Sequence, residues 1–369
     1  MKIPRNATSF LIAVEALAMV VVLVLCVIHP WATKPKNDLS GNNTEIVDSG
    51  NDIVENTENA IGEVVTQPNE VVVTFSEEVL AKVEAMTLEQ KIAQMFVITP
   101  EALTDMDQVT VAGNATKDAI NQYPVGGLVY SDINFQGKAQ TKNMLKGVQE
   151  HYKTQFDTPV FLMIAEQGGE ENSPLATKNR YTVEAAPAEI GASGETQKAI
   201  DAAKKIATYL KDAGFNMNLA PNVDAYSEDA SVASMMVAET VSTYGENDIF
   251  TVMSNFSNED MTSTESENLV HKAGIDAGVD AVMITDATKE VVKYLRANMQ
   301  YGGILMADGL TSEQVVEAVQ AGADMIYCPE NFKECYQAVV DAVNDGDIRQ
   351  EDINKAVARI LTCKAEIED

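Results

Sequence analysis

The chain of 369 residues carries 56 acidic against 26 basic side chains, a formal net charge of −30, and 46% of its residues are hydrophobic. That apolar share supports a packed core and excludes a disordered protein. So acidic a surface repels nucleic acid and anionic headgroups, which argues against a polyanion ligand and for a role of the charge in solubility. Three histidines and four cysteines without C-x-x-C spacing imply no zinc site, no disulfide framework and no cofactor. Cys328, Cys335 and Cys363 read as core thiols, with a Cys328–Cys335 or Cys335–Cys363 bridge as the lesser alternative.

After a short segment at 1–9, expected in the cytoplasm, Phe10 to Ile28 reads FLIAVEALAMVVVLVLCVI, 19 residues broken by one charge at Glu15. A helix of that length crosses a bilayer core, so residues 10–29 are predicted to be a transmembrane signal anchor. Lys2 and Arg5 precede it, and by the positive-inside rule everything beyond it lies outside the cell membrane, with Trp31 suited to the far interface. No A-x-A-like cleavage site follows. Residues 30–75 are rich in Asn, Asp, Glu, Gly and Ser with no sustained apolar period, the composition of a flexible acidic linker.

From residue 76 to 369, amphipathic helical stretches alternate with short apolar runs, the signature of a parallel sheet with crossover helices. The runs predict eight strands: Phe96–Thr99, Gly126–Tyr130, Val160–Ala165, Met217–Ala220, Thr251–Ser254, Ala281–Thr285, Gly303–Ala307 and Met325–Cys328. Helices are predicted over Gly137–Gln155, Thr196–Ala213, Glu267–Ala277, Lys289–Asn298, Ser312–Ala321, Asn331–Asn344 and Gln350–Glu366. Eight such units fit an α/β fold of the closed (β/α)8, TIM-type barrel, preceded by the anchor and linker. Two internal echoes support repeated units: VGGLVY from Val125 against YGGILM from Tyr301, and AGVDAVM from Ala277 against AGADMI from Ala321.

Barrels place reacting groups at the C-terminal ends of strands. The polar residues predicted there are Glu166 and Gln167, Asn222 and Asp224, Asn255, Glu259 and Asp260, Asp286, and Asp308. Nearly all are acids or amides, with no histidine, so neither a Ser-His-Asp set nor a histidine metal site can be assembled. A ring of carboxylates suits glycoside hydrolysis, where one acid attacks or stabilises an oxocarbenium-like centre and another protonates the leaving oxygen. It also suits sugar binding through hydroxyl hydrogen bonds, and any one of these acids alone could be a helix cap. Asp308 is the least ordinary, following Ile304-Leu-Met-Ala directly and preceding Gly309.

At these residues the chain resembles the catalytic barrel of family 3 glycoside hydrolases, in particular their single-domain β-N-acetylhexosaminidase branch. MTLEQKIAQMF from Met86 is similar to the family's M-T-L-E-E-K-I-G-Q-L-F. Ala165-Glu-Gln-Gly-Gly resembles A-V-D-Q-E-G-G, and Asn218 to Asp224 resembles N-x-A-P-V-x-D. Leu295-Arg followed by Tyr301 to Leu310 looks like L-R-x-x-x-G-F-x-G-V-I-x-T-D-x-L, whose aspartate is the nucleophile. Arg359-Ile-Leu-Thr-Cys-Lys completes a resemblance that runs in order over 86–364.

The departures fall on the catalytic segments. The family's K-H-F-P-G-H-G segment aligns with Ser254 to Asp260, without its lysine or histidine, and the segment after the fourth strand lacks the family's arginine. The sugar-binding aspartate corresponds either to Glu166, with a one-residue deletion, or to Ala165, and Glu170 stands where an arginine is usual. His271 falls inside a predicted helix and is not carried over as the acid. The resemblance implies Asp308 as nucleophile, with Glu259 and Asp260 as the nearest candidates for acid/base and Glu166, Asp224, Asn255 and Asp286 for substrate binding. It also implies a carbohydrate ligand, with a fragment of peptidoglycan at a bacterial cell envelope as the natural class. The missing groups lead to an expectation of weak or absent hydrolysis, the alternative role being a non-catalytic glycan- or protein-binding module.

Overall fold

A computed structural model describes residues 71–262, 268–328 and 331–367. Eight parallel strands close into one barrel in sequence order: β1 (Phe96–Ile98), β2 (Gly127–Tyr130), β3 (Phe161–Ile164), β4 (Met217–Asn218), β5 (Phe250–Phe256), β6 (Ala281–Ile284), β7 (Ile304–Asp308) and β8 (Met325–Tyr327). The ring shuts where Phe96 pairs with Ile326 and Val97 with Tyr327. Buried on the inside by one another and on the outside by helices, the strands read as continuous apolar runs rather than alternating ones.

The crossover helices form because their apolar residues recur on one face. In Thr196–Ala213, Ala199, Ala203, Ile206 and Leu210 turn inward, and Gly214 ends the helix at φ 102, a left-handed conformation that glycine adopts without a Cβ clash. The predicted helices are found within a residue or two, except that Lys289–Lys293 passes into a π-turn over Tyr294–Asn298. Helix Ala230–Glu246 went unpredicted. Its buried face includes Ser234, Thr240 and Thr243 beside Met236 and Val237, so its inner side is too polar to stand out as a stripe.

Strand β4 is shorter than predicted because Pro221, just beyond it, has no N–H to offer the ladder. Strand β5 is longer and shifts register between Met253 and Phe256. Strand β7 runs one residue further than predicted, so that Asp308 is its last residue.

The internal echoes have a physical basis at the N-terminal ends of the strands. Asp280, just before β6, accepts from the Thr251 backbone N–H at 2.8 Å, and Asp324, just before β8, accepts from that of Leu305 at 2.9 Å. Asn216, just before β4, holds β3 in the same way, accepting from the Leu162 N–H at 2.8 Å and donating to the Val160 carbonyl at 3.0 Å. The paired glycines serve close approach. A Cβ on Gly126 would lie 1.9 Å from the Gln94 carbonyl oxygen, and one on Gly303 would lie 2.8 Å from that of Asp280.

None of Cys328, Cys335 and Cys363 is in a disulfide, which corrects the alternative of a bridge among them; Cys335 is buried, and the other two are half-buried against the core. No helix among the described residues is long and apolar enough to cross a membrane. The predicted anchor at 10–29 and nearly all of the linker lie outside those residues.

Candidate active site

The mouth is formed by the C-terminal strand ends and the loops that follow them. Asp308, half-buried at the tip of β7, is paired in register with Tyr327 at the tip of β8. Tyr327 and the next residue, Cys328, share a side-chain hydrogen bond, and both feel the negative charge of Asp308. Burial is the main cause pushing the Tyr327 phenol well above its ordinary value, with the Cys328 and Asp308 charges adding to it. Burial likewise pushes the Cys328 thiol up to about 12, the Tyr327 hydrogen bond opposing and the Asp308 charge reinforcing the shift. Cys328 also holds a left-handed backbone at φ 38, uncommon for a residue with a Cβ. Neither Tyr327 nor Cys328 was expected as a site residue from the sequence, although their place at the C-terminal end of the eighth predicted strand would have brought them to the mouth.

Glu166 turns away from this opening. It is fully buried, and its carboxylate accepts from the Leu175 N–H at 2.9 Å, the Ala176 N–H at 3.1 Å and the Tyr209 hydroxyl at 2.9 Å. It thereby caps the short helix Pro174–Asn179 and ties it to helix Thr196–Ala213. Asn218 supports it by exchanging two hydrogen bonds with its backbone and donating to the Tyr244 hydroxyl at 3.1 Å. Burial raises the Glu166 carboxyl to about 7 against the lowering effect of its three donors. Ala165 is the exposed residue at the end of β3. Of the two alignments to the family's sugar-binding aspartate, the one that substitutes alanine is therefore the one that reaches the mouth.

Asp260 lies on the short helix Asn258–Thr262 after β5 and accepts from the Ser257 N–H at 2.7 Å and its hydroxyl at 2.8 Å, which ties the residue ahead of this helix to its first turn. Its other oxygen is 3.9 Å from Nδ1 of the buried His271, whose ring packs edge-on to Phe256. Asp286, exposed after β6, accepts from the Asn258 N–H at 3.1 Å and so joins two neighbouring loops. Glu259 is exposed on the same short helix, and Asn255 is the penultimate residue of β5. Asp224 is exposed after β4, its N–H donating to Asn222 Oδ1 at 3.1 Å. Among the described residues no three His, Cys, Asp or Glu side chains cluster so as to hold a metal ion.

Chemically, this is an acidic opening with one carboxylate, Asp308, at a strand tip. A carboxylate there can accept hydrogen bonds from sugar hydroxyls or approach an anomeric carbon. Hydrolysis with retention further needs a proton donor on a second carboxyl about 5 to 5.5 Å away.

A closed ring of eight parallel strands with its polar residues gathered at the C-terminal strand ends defines a (β/α)8 barrel of the enzyme-scaffold type. Residues 87–363 match the glycosyl hydrolase family 3 N-terminal domain, and the chain belongs to that family. No curated protein matches it. Among solved structures it is similar to a family 3 β-N-acetylglucosaminidase from Paenibacillus sp., with 24% identity and a TM-score of 0.69 over 76% of this chain and 63% of that one. A fungal multi-domain family 3 β-N-acetylglucosaminidase is 18% identical with a TM-score of 0.68, over 77% of this chain and 40% of that one. A β-N-acetylhexosaminidase from Beutenbergia cavernae is 18% identical with a TM-score of 0.65, over 76% of this chain and 99% of that one. The chain thus spans less than two thirds of the first two structures, and likeness at these identities concerns the fold.

Proposed function

We propose that this barrel binds carbohydrate at its mouth and hydrolyses O-glycosyl bonds weakly or not at all. The observation that carries the reading is a division among the carboxylates. Asp308, matched through its sequence motif to the family's nucleophile, ends β7, whereas Glu166, a candidate for sugar binding, and Asp260, a candidate for acid/base, are engaged within their own loops. Loss of a positioned general acid lowers rates by roughly 100- to 10,000-fold. The ligand class we infer from the family is a β-linked N-acetylhexosaminide, such as a fragment of peptidoglycan. In this proposal residues 10–29 anchor the barrel on the outer side of a bacterial membrane, which their apolar run and the preceding Lys2 and Arg5 support.

The test is turnover of a chromogenic N-acetyl-β-glucosaminide, with a panel of other β-glycosides, beside calorimetric titration of N-acetylglucosamine oligomers into the same protein. Oligomer binding with turnover no greater than that of Asp308→Asn is the expected result. Turnover abolished in that variant would establish a working glycosidase with an unconventional acid, and absence of oligomer binding would overturn the carbohydrate reading.

A further inference from the structure

Helix Pro174–Asn179 lies in the loop after β3, at the edge of the mouth, and Ser173 stands at its N-cap, where a serine hydroxyl ordinarily accepts from the second or third amide of the helix. Here it accepts from neither. Those two amides, of Leu175 and Ala176, go to Glu166 at 2.9 and 3.1 Å, and the Ser173 Oγ is left buried without a hydrogen-bond partner among the described residues. The helix thus has two acceptors for one set of donors, and the one in use is a carboxylate out of water with no cation paired to it. Tyr209 faces that carboxylate from helix Thr196–Ala213, Asn218 from β4, and Tyr244 from helix Ala230–Glu246. The charges on the surrounding elements are engaged elsewhere: Glu184 with Lys205 at 2.8 Å, Asp212 with Lys142 at 3.0 Å, and Lys178 with Asp132 at 3.3 Å. Lys138 lies over the Tyr181 ring, which stacks on Tyr209, and Glu170 and Glu171 are exposed.

A buried carboxylate without a counter-charge favours its protonated form. When Glu166 is protonated, the Tyr209 hydroxyl can turn from donor to acceptor, which leaves both amides an oxygen to bond. Burial holds the seated carboxyl at about 7, and in water it would return to the ordinary 4.5, so the seated helix binds an extra proton between those values. Seating is tightest below about 4.5, loosens as pH rises, and is loosest above about 7. Release needs no new partner, because Ser173 can take up an amide that Glu166 gives up. Gly168 and Gly169, at φ 92 and 77, and Arg180, at φ 57, bracket the segment and give it places to turn. The burial of Leu175 and the hydrogen bond from Asn179 to Thr141 at 2.9 Å oppose release, so pH sets the population of a minor state. We propose that helix Pro174–Asn179 is a latch on the mouth, seated on Glu166 while that carboxyl is protonated and released on its ionisation, with Ser173 taking over the cap. Gln167 carries the change to the loop after β4, since its side chain meets the Leu219 carbonyl and the Asn222 N–H, both at 3.3 Å. Access to the mouth beside β3 then varies with pH, whatever the mouth binds.

Amide hydrogen exchange of the full-length chain, corrected for intrinsic rates, reads the latch without any ligand. Between about pH 5.5 and about pH 7.5, protection at Leu175 and Ala176 is expected to fall roughly 10-fold or more. Leu162, whose amide is held by the uncharged Asn216, should change less and serves as the measure of global stability. In Glu166→Gln, which cannot ionise, the two latch amides should follow Leu162 and show no response of their own. Ser173→Ala removes the alternative cap and the buried hydroxyl together, and should raise protection at Leu175 and Ala176 near pH 7.5 by roughly fivefold. Protection at Leu162 shows whether each variant is folded, and the comparison within the parent chain stands without them. An equal pH response at all three amides of the parent, a response kept in a folded Glu166→Gln, or a loss of protection in a folded Ser173→Ala would each overturn the proposal.

Discussion

Lys364 Nζ donates to Gln94 Oε1 at 2.8 Å inside the protein, with the Phe161 ring 5.1 Å from the ammonium. The lysine is fully buried, and that burial pulls its pKa down to about 7, the Cys363 thiol acting in the opposite direction. With a folded value below the ordinary 10.5, the unfolded chain binds the extra proton between those limits. Stability from this group therefore rises as pH climbs from about 7 to about 10.5, and the destabilisation is fully present below about 7. At about 1.4 kcal/mol per unit, the effect is of order 4 to 5 kcal/mol at most. Lys364→Met should raise the midpoint of urea unfolding at pH 6 and flatten its dependence on pH up to 10, although Gln94 loses a partner. An unchanged slope would show that the ammonium stays protonated in the fold.

Glu166 titrates with the opposite sign. Its folded value of about 7 exceeds the ordinary 4.5, so the folded chain binds the extra proton between them. Stability from this group falls as pH rises from about 4.5 to about 7, the loss being complete above. Replacing it with alanine would strand two N–H groups and a phenol, at about 1–3 kcal/mol for each unsatisfied group. Glu166→Ala should lower the urea midpoint and increase hydrogen exchange at Leu175 and Ala176. Exchange at these two amides that matches the parent would show that the carboxylate does not cap them.

The Asp280 and Asp324 clamps should differ in strength. Asp280→Ala removes a hydrogen-bond acceptor from Thr251, a loss of about 1 to 2 kcal/mol. Asp324→Ala leaves Arg296 buried with no carboxylate and should lower stability by about 3 to 5 kcal/mol. Denaturant unfolding of the two variants side by side checks the order, and equal losses would contradict the account.

The Cys328 thiol, held up to about 12, should be a poor nucleophile at neutral pH. Iodoacetamide at pH 8 is expected to modify it at least about tenfold more slowly in the folded protein than in urea, as followed by mass spectrometry of the peptide. Removing the nearby charge with Asp308→Asn should speed the folded-state reaction. A rate unaffected by that substitution would mean that Asp308 does not act on the thiol.

The barrel was legible in the chain because strands buried on both faces cannot hide their apolar runs, and because the repeats around Gly126, Gly303, Asp280 and Asp324 mark where β2, β7, β6 and β8 begin. Helix Ala230–Glu246 escaped notice because serine and threonine lie on its buried side, where periodicity looks for apolar residues. At the mouth, sequence could name which carboxylates follow the strands but not where their oxygens go. Glu166 and Asp308 both adjoin a strand end, yet one faces into the packing behind β3 and the other stands at the tip of β7. That difference depends on Tyr209, far along the chain, and on the amides of Leu175 and Ala176, in a short helix that no periodic pattern announces.

The side chains ahead of β4, β6 and β8 each grip the strand before it, so the ring is fastened two by two: β3 to β4, β5 to β6, β7 to β8. Between these couples, at β4–β5 and β6–β7, no side chain among the described residues grips a backbone N–H of the preceding strand, and at β6–β7 the Tyr301 hydroxyl reaches across only at 3.4 Å, to the Val279 and Ile304 carbonyls. Those junctions are the natural seams of the ring, where transient opening would begin and where a split or permuted chain would best be rejoined, leaving each couple intact.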